Sequence, residues 1–158
     1  MGTIRIVRGS ASAPTAMASY DAALAEAGVE NYNLVSVSSI IPAGADLEVV
    51  GTAPDLGSVG DRLTVVEARA TAAGPGQVSA ALAWSRSDEG PGLFYETAGE
   101  TNRADVERRV RAGLRAGEEL RDWTFADPEV VVESERADPG AHTTALVLAV
   151  YGDGEPIL

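Results

Sequence analysis

Hydrophobic residues along the chain recur at two spacings, every second residue in some segments and every three to four residues in others. The first spacing, rich in Val and Ile, predicts strands at 4–7, 32–40, 47–50, 63–71, 78–85, 92–98, 129–135 and 142–151. The second spacing predicts helices at about 14–27 and 102–122. This order lacks the regular strand–helix alternation of a doubly wound protein. It predicts an α+β fold with an antiparallel or mixed sheet.

Small residues and glycines refine the predicted elements. The apolar stripe of the second helix reaches Leu120, and this helix also contains Gly113 and Gly117. Glycine lowers helix propensity, so these two positions indicate close packing of the helix on a sheet. The stretch 10–14 is expected to be a loop before the first helix. The last residues, 152–158, are expected to be loose.

Composition narrows the class of protein. The length of 158 residues predicts a single domain, 1–158. Asp and Glu number 24 against 12 basic residues, a net charge of −12. This charge argues against nucleic acid or an anionic membrane as a partner, because both bind basic surfaces. The chain has no apolar run long enough for a membrane span and no signal-peptide pattern, so a cytoplasmic protein is expected.

Missing residue types narrow the chemistry. All 12 basic residues are Arg, and without Lys the chain cannot anchor pyridoxal phosphate. Without Cys, and with His142 as the only His, a thiol nucleophile and a Cys- or His-rich metal site are excluded. No metal is therefore expected. The acidic, lysine-free composition favours a halophilic protein in a high-salt cytoplasm, with an Arg-biased genome as another contributor.

One segment, NYNLVSVSSIIPAG, carries the candidate chemistry. A Ser–Ser pair in a strand is by itself most often two surface hydroxyls. The longer pattern Asn33-Leu34-x-x-Val37-Ser38-Ser39-Ile40-Ile41-Pro42, however, resembles the self-cleavage site of the archaeal-type pyruvoyl-dependent arginine decarboxylases. The resemblance adds an expectation about the fold, a layered sandwich of largely antiparallel sheet covered by two main helices.

The resemblance extends over most of the chain, from about residue 4 to residue 151. Asp21 precedes Asn33 by twelve residues, as in that family, and Gly92-Leu93-Phe94-Tyr95-Glu96 looks like its catalytic-glutamate strand. Asp21 shares a helix face with Met17 and Leu24, so it is expected near the buried side. The stretch 10–14 departs from the family, because it is shorter and plainer than in the best-known members. Since this stretch can line the pocket, the departure bears on arginine as the substrate and not on decarboxylation.

The resemblance implies a cofactor made from the chain itself. The Ser39 hydroxyl attacks the Ser38 carbonyl and forms an ester. Loss of the Ser39 α-proton opens this ester, and water then releases ammonia and leaves a pyruvoyl group. The products are residues 1–38, the β chain, and residues 39–158, the α chain. The resemblance assigns the oxyanion donor of this processing to Asn33.

The implied activity is decarboxylation of L-arginine to agmatine and CO₂, a step of polyamine biosynthesis. Glu96 is the implied proton donor, and burial among apolar neighbours is expected to raise its pKa. Asp21 is the implied contact for the substrate guanidinium, because a carboxylate suits its planar fork. The family also implies a homotrimer of cleaved chains with pockets between subunits, and a small cationic amino acid as the substrate.

Two readings of other classes stay open. In the first, the chain is an autoprocessed hydrolase, and Ser39 keeps a free amine and acts as an amino-terminal nucleophile. In the second, the chain is a trimeric module without enzymatic activity that keeps the fold and is never cleaved. The state of Ser39 distinguishes all three readings.

Overall fold

Two β-sheets pack face to face, and one helix covers the outer side of each sheet. The computed structural model describes residues 2–158. In chain order its elements are β1 (Thr3–Ala13), α1 (Ala16–Ala27), β2 (Asn33–Ser36), β3 (Ile40–Ile41), β4 (Asp46–Gly51), β5 (Arg62–Ala73), β6 (Gly76–Arg86), β7 (Gly92–Gly99), α2 (Arg103–Glu118), β8 (Glu129–Ala137) and β9 (His142–Glu155). The predicted α+β sandwich is confirmed. Neither helix of the described residues is long and apolar enough to cross a membrane.

The two sheets differ in their strand directions. The first has the order β2-β5-β9-β1-β4, in which β2 runs parallel to β5 and β4 runs parallel to β1. The second, β3-β7-β6-β8, is antiparallel throughout. Between the sheets, Ile6 and Val147 of the first pack against Leu82, Trp84 and Phe94 of the second. Burial of such side chains contributes about 1.5–3 kcal/mol each.

Helix α1 covers the outer face of the first sheet. Its amino terminus is capped by Thr15, whose Oγ1 accepts a hydrogen bond from the Ala18 amide at 3.1 Å. Its carboxyl end is capped by Gly28, where a φ of 82° favours glycine. Leu24 packs against Val7 of the sheet, which anchors the helix on this side of the molecule.

Helix α2 covers the outer face of the second sheet, and Gly113 makes that contact possible. A side chain at Gly113 would overlap the ring of Tyr95, and one at Gly117 would lie 3.6 Å from Leu93 Cδ1. The predicted close packing is therefore confirmed. The prediction for Leu120 is wrong, since α2 ends at Glu118 and Leu120 is 81% exposed.

Two strands, β1 and β9, are longer than the sequence predicts. The predicted loop at 10–14 is strand up to Ala13, because it pairs with β9 and Ser12 forms a 2.7 Å hydrogen bond with Thr143. The predicted loose tail is strand up to Glu155, which pairs with Arg62 of β5 at 2.8 Å. Regular cross-strand pairing thus extends strands into small or polar residues that have low strand propensity.

Candidate active site

The segment with the serine pair crosses between the two sheets. The sequence predicts one strand over 32–40, but the structure divides this region into β2, an edge of the first sheet, and β3, an edge of the second. Val37–Ser39 makes the crossing. Within residues 2–158, neither the Ser38 carbonyl nor the Ser39 amide takes part in a backbone hydrogen bond. The Ser38–Ser39 peptide is therefore free of the sheet ladders on either side.

Hydrogen bonds hold the backbone immediately after this peptide. The amide of Phe94 donates to the Ser39 carbonyl at 2.7 Å. The hydroxyl of Tyr151, on β9, donates to the Ile40 carbonyl at 2.7 Å. Ile40 also pairs with Leu93 in the antiparallel ladder between β3 and β7. The Ser39 side of the bond is thus fixed by β7 and β9.

A cavity of about 420 Å³ adjoins the serine pair. This volume lies within the range typical of small-molecule sites. Its walls come from the crossing segment, from β7 and from the end of α2, and the lining residues are Ser38, Ser39, Ile40, Leu93, Phe94, Tyr95, Ala116, Gly117, Leu120 and Arg121. The candidate scissile bond therefore faces a cavity whose other walls are mainly apolar and include one positively charged side chain, Arg121.

Glu96 lies close to this region but on the other face of β7. It follows Phe94 by two residues, so both side chains project toward the inner face of the second sheet, opposite to Tyr95. Its side chain keeps contact with solvent, yet the surrounding protein partly desolvates the carboxyl and raises its pKa above the ordinary 4.5. The predicted direction of the pKa shift is confirmed, although the side chain is more exposed than expected.

Tyr151 lies near Glu96 and bonds the segment that follows the serine pair. The sequence did not predict a role for this residue. Its ring contacts Phe94 edge to face, with centroids 6.0 Å apart. Burial, together with the charge of nearby Glu96, raises the pKa of Tyr151 to about 12. The phenol therefore stays protonated near neutral pH and remains a hydrogen-bond donor to Ile40. Nothing in the sequence marks this tyrosine, because β9 reaches the site only through the sheet pairing.

Asp21 is not brought to the cavity within one chain. The prediction that it lies near the buried side is wrong: Asp21 is exposed on α1 and lines a separate surface depression with Met17 and Tyr20. Because α1 covers the first sheet whereas the cavity lies beside α2, the two are on different faces of the molecule.

Asn33 likewise does not line the cavity beside the serine pair. It begins β2, and its side-chain amide donates to the Gly60 carbonyl at 2.8 Å. Within the described residues 2–158, Ser38 and Ser39 therefore line the cavity, whereas Glu96, Asn33 and Asp21 do not.

Substitution of Tyr151 by phenylalanine should slow cleavage at Ser39. The change retains the ring packed on Phe94 but removes the hydrogen bond to Ile40, a contact that contributes about 1 kcal/mol. If that bond holds the reactive conformation, we expect cleavage to be about five- to tenfold slower in a time course followed by intact mass. Tyr32→Phe is the control, because the Tyr32 hydroxyl bonds Gly57 away from the cavity. Equal rates in both variants would contradict this role.

Comparison with known proteins shows similarity to one family throughout. A family model described as pyruvoyl-dependent arginine decarboxylase matches residues 3–156. A protein of that name from Halobacterium salinarum is 57% identical over 157 residues, covering 99% of this chain and 98% of the relative. The protein of that name from Pyrococcus abyssi is 33% identical, over 90% of this chain and 91% of the relative. The one from Methanopyrus kandleri is 29% identical, over 92% of this chain and 93% of the relative.

Proposed function

Because the chain belongs to the pyruvoyl-dependent arginine decarboxylase family, we propose that it converts L-arginine to agmatine and CO₂ with a pyruvoyl group made from Ser39. The observation that carries this proposal is the position of the Ser38–Ser39 peptide. It lies outside the strands, beside a cavity of about 420 Å³, and is followed by a backbone that Phe94 and Tyr151 hold in place.

The residues around Ser39 fit such a group. A ketone at this position would adjoin the cavity, and the Ser39 carbonyl next to it already accepts a hydrogen bond from the Phe94 amide. When present, a pyruvoyl group condenses with the substrate amine and accepts the electrons released as CO₂ leaves. Leu93 and Phe94 give the cavity an apolar wall, beside which a contact between charged groups is stronger than in bulk water.

The same segment supplies the chemistry that forms the group. The Ser39 oxygen attacks the Ser38 carbonyl carbon, and the C–N bond of the peptide is replaced by an ester. The Ser39 α-proton then leaves, the bond between the Ser39 β-carbon and the ester oxygen breaks, and residue 38 ends in a carboxylate. One water molecule enters and one ammonia leaves in the whole sequence. The chain is thereby divided into residues 1–38 and 39–158.

The fold explains how the two fragments stay together. β1, from the first fragment, lies between β9 and β4, both from the second, and β2 pairs with β5. Cleavage therefore leaves a first sheet whose strands come from both fragments, and its backbone hydrogen bonds hold residues 1–38 in place.

We assign the return of a proton to the substrate α-carbon to Glu96, whose raised pKa favours the protonated form. Asp21 is assigned to the guanidinium and Asn33 to the oxyanion formed during cleavage. Asp21 lies on a different face from the cavity of its own chain, so its role requires a neighbouring subunit. A homotrimer, as the resemblance implies, would supply one.

The surface around the serine segment supports such an assembly. Exposed apolar side chains surround it: Val35, Val37, Ile40, Tyr95 and Leu120 are between 39% and 81% exposed. Contact with a second subunit would remove this area from water at a gain of about 25 cal/mol per Å². We also place the protein in the cytoplasm, because a chain of net charge −12 without Lys suits a salt-rich interior.

Release of CO₂ from carboxyl-labelled amino acids tests the substrate. We expect arginine to react at least about 100-fold faster than lysine, ornithine or histidine, because a carboxylate such as Asp21 can bind the guanidinium through two parallel hydrogen bonds. The protein should be assayed in concentrated salt after its cleavage is complete. A faster reaction with ornithine or lysine would keep the decarboxylase assignment but contradict arginine as the substrate.

A further inference from the structure

The cavity beside Ser39 has one charged side chain in its lining, that of Arg121. The rest of the lining is apolar or hydroxyl-bearing. Arg121 lies in the turn that follows α2, where its amide donates to the Glu118 carbonyl at 3.1 Å. Arg121 is half-buried there, and no acidic side chain among the described residues lines the cavity beside it.

The guanidinium of Arg121 is held in place with most of its donors unused. Its Nη1 donates to the Gly117 carbonyl at 2.9 Å, and its Cζ lies 5.9 Å from the ring centroid of Trp123. Although Glu119 and Asp122 are close in sequence, Arg121 forms no ion pair within the described part of the chain, 2–158. A guanidinium has five N–H donors, so a ligand can still be bound.

We propose that Arg121 binds a carboxylate in this cavity, an inference that rests on the proposed function. That function brings a carboxylate to the cavity from two sources. One is the new carboxyl terminus of residue 38, since Ser38 lines the cavity together with Arg121. The other is the α-carboxylate of the amino-acid substrate. Both present two oxygens that match the planar donor fork of arginine.

Electrostatics favour a dedicated cation for either source. Acidic residues outnumber basic ones 24 to 12 in this chain, so a positive side chain beside an anion-forming site is not a general feature of its surface. Arg121 is adjacent to the cavity, and a contact at such short range is screened less by salt than the field of the whole protein.

Three measurements on Arg121→Gln and Arg121→Lys test the proposal: the cleavage time course by intact mass, the KM for arginine, and calorimetric binding of agmatine, which has no carboxylate. If Arg121 binds residue 38, Arg121→Gln cleaves about tenfold more slowly with an unchanged KM. If it binds the substrate, the KM rises about tenfold or more, while the Kd for agmatine is unchanged. In either case Arg121→Lys partly restores the affected quantity, the cleavage rate or the KM, because lysine retains the positive charge but lacks the planar donor fork of the guanidinium.

Arg115→Gln is the matched control, because Arg115 is exposed in the last turn of α2, does not line the cavity, and carries the same charge. Effects of Arg121→Gln no larger than those of Arg115→Gln would overturn the proposal. Circular dichroism of each variant checks that it is folded, and Arg121→Lys repeats the test if Arg121→Gln is not. A wild-type protein that never cleaves would overturn the proposed function itself, whereas normal wild-type cleavage with an unaffected Arg121→Gln overturns only the role of Arg121.

Discussion

Ser39→Ala should yield an intact 158-residue chain with no decarboxylase activity. Alanine has no hydroxyl to attack the Ser38 carbonyl, so the peptide bond stays closed and no pyruvoyl group can form. Because the group supplies the electron sink of the reaction, we expect CO₂ release to fall to background, a loss of about a millionfold or more. Denaturing electrophoresis and a CO₂ assay on the same preparation measure both effects.

Ser38→Ala provides the matched control. It removes a hydroxyl from the adjacent residue but retains the carbonyl that Ser39 attacks, so cleavage should proceed. Ser39→Cys retains a nucleophile at the reacting position and should still be cleaved to some extent. Decarboxylation by uncleaved Ser39→Ala protein would contradict the role of Ser39. Failure of Ser38→Ala to cleave would show that the Ser38 hydroxyl, and not only its carbonyl, takes part in cleavage.

Glu96→Gln should produce a cleaved but slow enzyme. Glutamine retains the size and one carbonyl oxygen of the side chain but cannot donate the proton that the substrate α-carbon requires. Loss of a general acid lowers kcat by about 10²- to 10⁴-fold. Intact mass establishes that cleavage is complete before kcat is measured, so that slow turnover is not confused with missing cofactor.

The pH dependence of the wild-type enzyme follows from the same carboxyl. Desolvation raises the pKa of Glu96 above 4.5, so the folded protein keeps this proton at pH values where an ordinary glutamic acid has lost it. The acid must be protonated to act, and kcat should therefore fall as pH rises through the raised pKa. Glu96→Gln should lack this alkaline decline, because its side chain does not titrate there.

Glu100→Gln is the control for both measurements, because Glu100 is exposed and follows the end of β7. It should leave kcat and the pH profile unchanged. An uncleaved Glu96→Gln chain would assign Glu96 to cofactor formation instead of proton return. A cleaved Glu96→Gln enzyme that retains wild-type kcat would remove it from the reaction.

Much of the fold follows from local patterns in the sequence. The apolar stripe of α2 and its two glycines predicted a helix packed tightly on a sheet, and Tyr95 fills the space that Gly113 leaves. The cap at Gly28 was predictable because a left-handed residue after an apolar helix favours glycine. These features depend on neighbours within a few residues, which is why periodicity is sufficient to find them.

Features that depend on distant pairing were not predictable in this way. The stretch 32–40 is continuous in strand propensity, yet its two halves belong to different sheets, since β2 pairs with β5 and β3 pairs with β7. Tyr151 reaches the Ile40 carbonyl across 111 residues of sequence. The exposure of Asp21 and Leu120 depends on where each helix faces and ends, which the residues within a few positions do not determine.

Intact-mass measurement of purified wild-type protein under denaturing conditions tests whether a pyruvoyl group is made from Ser39. We expect two fragments, residues 1–38 with an ordinary carboxyl terminus and residues 39–158 with a ketone at the amino terminus. The larger fragment should be lighter, by one ammonia, than the same segment beginning with a free serine amine. A single uncleaved chain would contradict self-cleavage at Ser39, and a fragment with the free-amine mass would favour an amino-terminal serine hydrolase instead.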